Sequence, residues 1–552
     1  MTPAFPFPKK TSHRGRIVDL SAGRVFPGEI EVREGKILAI REVEDAGLPD
    51  GFLCPGFIDA HVHVESSMLP PAEFARVAVT HGTVATVSDP HEIANVLGVE
   101  GIRAMQRMAA ATPCKIHFGI PSCVPATGFE TAGAVIDSKA VEELCQDPSL
   151  TYLAEMMNFP GVVHQDPEVM AKLAIARRYG KNIDGHAPGL RGDGLRAYVD
   201  AGITTDHECT EIDEAREKLS RGQNILIREG SAAKNFEELW PLLLENPQSC
   251  MFCSDDKHPD DLIDGHINQL CARAVAAGVP VFDVLRAACL NPAKHYNLRS
   301  GILRPGDPAD FIRLAGLDNF DVLETWLDGA CVARQGASLL PVTRAESINH
   351  FNRKPVRPSD FAIPIPGPGN LRVIEAIDGS LVTGSSEMAA SVEGGHAIAD
   401  PARNLLKITV VNRYQDAPPA SAFVRGVGLK HGAIASSVAH DCHNIVAIGC
   451  DDESLARAVN LVIGAQGGIS ATGPGGDDLL ALPIAGLMST EPAEAVAAAY
   501  GRITRHARDL GSTLHAPYMT LSFLALLVIP TLKLGDRGLF DGEAFCFTEL
   551  FV

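Results

Sequence analysis

One pattern constrains this chain more than any other. Between residues 54 and 296 a short apolar run ends in polar or ionisable residues, a longer helix-like stretch follows, and the unit repeats. The runs end at His61-Val62-His63, Ser88-Asp89-Pro90-His91, Gly119-Ile120-Pro121-Ser122, Glu155-Met156-Met157-Asn158, Asp184-Gly185-His186, Thr205-Asp206-His207-Glu208, Arg228-Glu229-Gly230 and Ser254-Asp255-Asp256. Alternating β and α units of this kind predict parallel strands with crossover helices, and eight of them over roughly 250 residues match a (β/α)8 barrel. Such barrels place their chemistry at the C-terminal strand ends, where these polar residues fall.

The flanks read differently. Ile17-Val18, Ile30-Glu31-Val32 and Ile37-Leu38-Ala39-Ile40 are apolar bursts broken by Gly23, Gly28, Gly35 and Gly47, and a similar patch runs from Gly301 to Ile312. Short strands with turns fit both. The expectation is a small β-sandwich domain built from residues 1–54 and 297–350, with the barrel, residues 55–296, inserted between its halves. Pro355, Pro358, Pro364, Pro366 and Pro368 mark a linker over 351–369. Strand-like runs (Leu405–Val411, Ile445–Ile448) then alternate with helix-like ones such as Asp452–Ile463, which predicts a C-terminal α/β or α+β domain over 370–552. Gly464, Gly467, Gly468, Gly473, Gly475 and Gly476 look like a phosphate loop but lack its Gly-Lys-Ser/Thr ending, so a mobile turn is expected.

Composition excludes several classes of function. Hydrophobic residues are 46% and charged ones 21%, which suits packed cores rather than disorder. A formal charge of −20 opposes binding to phosphate backbones and to anionic membranes. The apolar run Leu521–Ile529 stops at Pro530, far short of the ~20 residues a bilayer needs. Met1–Arg16 does not read as a signal peptide, and the thirteen cysteines show no disulfide framework. The expected location is the cytoplasm, with the thiols acting as buried small hydrophobes.

His61 and His63 close the first barrel strand as His-x-His, and residues i and i+2 of a strand point to one side, so both imidazoles can reach one ion. Alone the pair is weak. Glu155, His186, His207 and Asp255 recur at later strand ends, and six donors from five strands can hold two divalent ions with a hydroxide between them. Glu155 is the group suited to bridge two cations, since a carboxylate offers two oxygens; the bland alternative pairs it with a buried arginine.

Pro55-Gly56-Phe57-Ile58-Asp59-Ala60-His61-Val62-His63 resembles the opening signature of the amidohydrolase superfamily, and Gly301 to Phe311 resembles the return of its sheet domain. The segments around His63-Val64-Glu65-Ser66-Ser67-Met68, Asp89 to Val96, Glu155 to Val162, Asp184 to Pro188, Asp255 to Asp261, Ala435 to Asp441 and the closing Phe551-Val552 narrow the resemblance to the adenine deaminases, over nearly the whole chain. The resemblance implies deamination of adenine to hypoxanthine and ammonia at a binuclear centre of manganese or iron, with zinc fitting the same ligands. It implies a purine as small-molecule partner, no nucleic acid or membrane, and a homo-oligomer. Asp255 would ligate metal and carry a proton from the attacking hydroxide to the departing amine.

Other residues stay open at this stage. Glu92, beside Asp89 and His91, either acts on the purine ring as a catalytic group or backs a ligating histidine. Asp256 is expected to face away from Asp255, Arg228 and Glu229 to pair with each other, and Ser66 and Ser67 to cap a helix or line the pocket. His440-Asp441-Cys442-His443 is rich enough in ligand types to suggest a site, though a hydrogen-bonded turn beside a strand is the expected reading, and His81, His117, His164 and His295 read as structural. Two rival functions compete. A cyclic-amide hydrolase of the dihydropyrimidinase type would carry a carboxylated lysine where Glu155 stands; a non-catalytic barrel scaffold would not keep all six ligand positions.

Overall fold

The computed structural model describes residues 8–367 and 369–552; residues 1–7, where the expected sheet domain begins, and Pro368 of the expected linker lie outside the described residues. Strand β1 (Lys10–Asp19) pairs antiparallel with β2 (Arg24–Arg33), and β2 with β3 (Lys36–Glu42). Glu34 and Gly35, at φ 51° and 79°, make the tight second turn, the conformation that a two-residue hairpin loop requires. β4 (Phe52–Pro55) lies parallel to β1 and leads into the barrel.

The barrel strands are β5 (Phe57–Val62), β6 (Thr83–Ser88), β7 (Lys115–Phe118), β8 (Tyr152–Met156), β9 (Asn182–Gly185), β10 (Thr205–Asp206), β11 (Asn224–Arg228) and β12 (Cys250–Cys253). All eight fall at the units read from the sequence. β5-β6-β7, β8-β9 and β10-β11-β12 pair in parallel. A bridge between Ile120 and Leu153, the Thr204 N to Ile183 O bond (2.9 Å) and a bridge between Val62 and Asp255 complete the ring. Covered on both faces, such strands are continuous apolar runs, and every residue of β5, β6 and β12 is buried. Cys250 and Cys253 on β12 have a C-x-x-C spacing without forming a disulfide; both are free and buried, three residues apart on one strand and therefore on opposite faces.

After the barrel, β13 (Phe311–Leu314), β14 (Val322–Leu327), β15 (Ala330–Arg334) and β16 (Ala337–Ser338) rejoin the first sheet. β13 lies antiparallel to β4, giving one eight-stranded sheet in the order β16-β15-β14-β13-β4-β1-β2-β3. Its far edge bonds back to the segment before β13 (Ile37 N to Asp307 O, 3.0 Å), so the sheet curls over a core that includes Ile17, Ile30, Val32, Leu53, Phe311 and Trp326. The two layers of this unit come from folding a single sheet on itself.

The C-terminal unit is a second eight-stranded sheet, with helices Asp452–Gly464, Ala493–Asp509 and Pro517–Phe523 packed on it. Two expectations are corrected here. The proline-rich stretch is docked rather than spanning: Val356 and Phe361 are buried against helix Asp452–Gly464, and Val356 exchanges hydrogen bonds with Asn460 (2.8 and 2.9 Å). The glycine cluster is a β-hairpin, Gly468–Gly473 with Gly476–Ala481, not a mobile turn. Glycine is needed there for close approach: a Cβ on Gly468 would sit 2.4 Å from the Leu480 carbonyl oxygen.

The C-terminal unit is welded to the barrel mouth. Val62, Leu69 and Phe118 share one apolar cluster with Val438, Leu487 and Leu521. Ser489 N donates to Met68 O (2.8 Å), Thr131 N to Asp536 (2.9 Å), and Arg76 pairs with Glu494 (2.7 Å). Among the described residues no helix is long and apolar enough to cross a membrane.

Candidate metal centre

Strand alternation sends Asp59, His61 and His63 into the barrel in successive layers. Asp59, the deepest, accepts from Ser254 N (3.0 Å) and lies 2.9 Å from His266 Nε2, so it ties β5 to β12 beneath the site. Above it His61 Nε2 and His63 Nε2 stand 3.2 Å apart, and His63 Nδ1 is fixed by the Asp89 carbonyl at 3.1 Å. Asp255 is joined to β5 through its own backbone, Asp255 N to His61 O at 2.9 Å, and its carboxylate lies 3.6 Å from His61 and 3.3 Å from His63.

Glu155, at the end of β8, presents its two oxygens to different partners. Oε1 is 3.2 Å from His63 Nε2 and 3.8 Å from His61 Nε2; Oε2 is 2.6 Å from His186 Nδ1 and 3.2 Å from His207 Nε2. All six residues predicted as ligands therefore meet at one point, and all are buried. Imidazole nitrogens turned toward each other around carboxylates, with His186 Nε2 and His61 Nδ1 left without hydrogen-bond partners, form a donor set suited to divalent cations. His91 is a further donor in reach, its Nδ1 3.4 Å from Glu155 and 3.1 Å from Asp89.

Burial works against charge on both central carboxylates, yet both are held well below the usual range: Asp255 by Arg228 and His63, Glu155 by His186, His207 and His63. The Arg228 guanidinium is the structural reason for the first. It donates to Asp255 Oδ2 at 2.7 Å and to Glu208 Oε2 at 2.9 Å. The expected Arg228–Glu229 pair is thus corrected: neighbours on a strand face opposite ways, and Glu229 pairs outward with Arg273 (2.8 Å).

Asp256 also departs from expectation. Asp255 sits at φ 53°, in the left-handed region, which breaks the strand's alternation and turns Asp256 toward the same mouth. There it accepts from Ser66 Oγ at 2.5 Å, which gives Ser66 its place in the pocket, while Ser67 bonds locally to Val64 O. His81 and His295 make structural contacts outside the site, to Ile263 O and Thr204.

At His440-Asp441-Cys442-His443 the alternative reading, a site rather than a plain turn, is the one that fits. This turn enters the pocket. His440 Nδ1 is 2.6 Å from Glu92 Oε1, His443 Nε2 pairs with Glu92 Oε2, and Asp441 lies 3.9 Å from His91. Glu92 is thus engaged at both oxygens by imidazoles of the C-terminal unit. Leu381, Phe523, Leu526 and Ile529 complete the roof, leaving about 30 Å³ of free space at the centre. Past Leu381 and Ile529 a larger cavity of about 500 Å³ opens between barrel and C-terminal unit. Two histidines bracketing Asp-Cys were visible in the sequence, but nothing local tied them to a strand end some 350 residues earlier.

Comparison with known proteins covers both the barrel and the C-terminal unit. The Amidohydrolase family matches residues 52–332, and the Adenine deaminase C-terminal domain matches residues 380–546. The chain is 55% identical to an adenine deaminase of Salinibacter ruber, over 99% of this chain and 100% of that protein. It is 52% identical to one of Methanosarcina barkeri, over 98% and 99%, and 44% identical to one of Borreliella burgdorferi, over 96% and 98%. The chain belongs to the amidohydrolase family, in its adenine deaminase branch.

Proposed function

We propose that the chain hydrolyses adenine to hypoxanthine and ammonia, with His61, His63, Glu155, His186, His207 and Asp255 holding two divalent cations. The observation that carries this reading is Glu155, whose two oxygens face separate histidine pairs. Manganese or iron is the expected occupant, and zinc suits the same nitrogen and carboxylate donors. Bound cations would supply a water acidified enough to attack near neutral pH.

The chain's own residues do the rest. Asp255 has one oxygen anchored by Arg228, which keeps it ionised and oriented to take a proton from the attacking water and return it to the leaving amine. Glu92, held by two imidazoles, contributes by positioning rather than by direct contact with the ring. The apolar roof excludes water, and the adjoining cavity offers the purine a way in. A cytoplasmic homo-oligomer acting on a small base is the expectation that goes with this reading.

The test is ammonia release from adenine, adenosine and a cyclic amide after reconstitution with manganese, iron or zinc, with metal counted per chain. Adenine turnover with two ions per chain is expected, and poor turnover of adenosine. Ring opening of the cyclic amide with adenine untouched would replace the deaminase reading by the hydrolase one, and a metal-free, inert protein would leave a scaffold.

A further inference from the structure

We propose that His440, supplied by the C-terminal unit, is the catalytic acid that protonates the purine ring as water adds to it; this rests on the deaminase reading above. Four observations converge on this side chain. Its Nδ1 is 2.6 Å from Glu92, and Glu92's other oxygen is taken by His443, so a carboxylate held from behind orients the ring. One ring face lies flat on Phe523, with centroids 4.5 Å apart and planes 9° apart. The backbone is anchored as well, His440 N donating to Ser522 Oγ at 3.3 Å. Finally Nε2 is buried, has no hydrogen-bond partner, and belongs to a residue lining the metal-centre pocket. A polar atom in that position costs stability unless something visits it.

Burial disfavours a charged ring, but Glu92 and Asp256 bring its pKa up to about 9, so His440 carries its proton at neutral pH. The reaction needs such a donor. When water oxygen bonds to C6, the ring's C6–N1 double bond opens and electron density falls on N1. One water proton passes to Asp255, and His440 Nε2 gives its proton to N1. The C6–amino bond then breaks, ammonia leaving with the proton that Asp255 carried. The remaining hydroxyl proton returns to His440, leaving C6=O and N1–H, which is hypoxanthine. Asp255 and His440 both end as they began.

The experiment compares parent, His440→Ala and His440→Gln in the full-length, metal-reconstituted protein, with circular dichroism and metal content measured on each. Glutamine keeps a hydrogen-bond donor but cannot transfer a proton. Both variants should hold parent-like metal and lose about 100-fold or more in kcat, with the adenine KM of His440→Gln within about threefold of parent. A smaller loss of kcat in either folded, metal-loaded variant overturns the proposal; if His440→Ala does not fold, His440→Gln decides. Parent protein that fails to release ammonia from adenine would instead reject the function itself, so the two failures are distinguishable.

Discussion

The barrel and the wall laid over its mouth by the C-terminal unit each bury a lysine fully, and they satisfy it in opposite ways. On the barrel side two buried cations are answered by carboxylates. Arg228 lies between Asp255 and Glu208, and Lys218, fully buried, meets Asp206 at 3.1 Å and Glu214 at 2.7 Å. On the C-terminal side Lys533 is equally buried but bonds only to carbonyls, Leu381 O at 2.7 Å and Phe523 O at 3.0 Å. One wall is a lattice of ion pairs that fixes charge. The other sets the apolar Leu381, Phe523, Leu526 and Ile529 beside His440, which suits a planar base that must enter, stack and leave.

The largest effect should come from breaking the barrel side at its centre. Glu155→Gln removes a negative charge and, on the proposed reading, the carboxylate that would link two cations, so turnover should fall by orders of magnitude. Bound metal should drop below two per chain while circular dichroism stays that of the parent. Near-normal turnover in a folded variant would place the link elsewhere.

Removing the C-terminal wall tests the comparison from the other side. A chain ending near Pro364 would expose the shared apolar cluster of Val62, Leu69 and Phe118 and lose the Met68–Ser489 contact. Loss of adenine turnover, with aggregation on size-exclusion chromatography, is the expected result. A soluble, metal-bound fragment with full activity would show the wall to be dispensable.

A third change separates stability from chemistry. Lys218→Met leaves Asp206 and Glu214 buried without their cation, at a cost of about 3–5 kcal/mol. Urea denaturation should register it as a lower midpoint with an unchanged slope. A shift below about 1 kcal/mol would mean that the barrel's ion pairs matter less than their burial suggests.

The same contrast explains what could be read from the chain. The donors proposed as ligands lie at the ends of parallel barrel strands, so His61, His63, Glu155, His186, His207 and Asp255 are legible through local order: an apolar run, then a donor. Asp256 was misread because alternation was extended past a residue at positive φ, which no side-chain pattern reveals. Arg228's partners and Glu92's partners are set by packing between elements far apart in sequence. His440 is the extreme case, since its meaning comes wholly from Glu92 and Phe523. The proline stretch misled in the same way, reading as a spacer when its Val356 and Phe361 find a helix to cover.

The smallest expected effect sharpens the comparison by pH. Burial pushes the Lys533 amine's pKa down to about 7, with no carboxylate in ion-pair range among the described residues. The unfolded chain would hold that proton up to about pH 10.4. Between these values the unfolded state binds more protons than the folded one, so Lys533's contribution to stability rises with pH across the window and is lost as pH falls through about 7. Lys533→Met abolishes this titration and strands two carbonyls, at a cost of about 1–3 kcal/mol at pH 7. The gap between parent and variant in denaturation midpoint should therefore widen from pH 7 through 8 to 9. Lys218, whose pKa its carboxylate partners raise against the effect of burial, keeps its proton throughout, so the Lys218→Met gap should stay flat over the same range. A Lys533 gap that is flat or narrows with pH would mean that this amine stays charged, and that the two walls treat buried lysine alike.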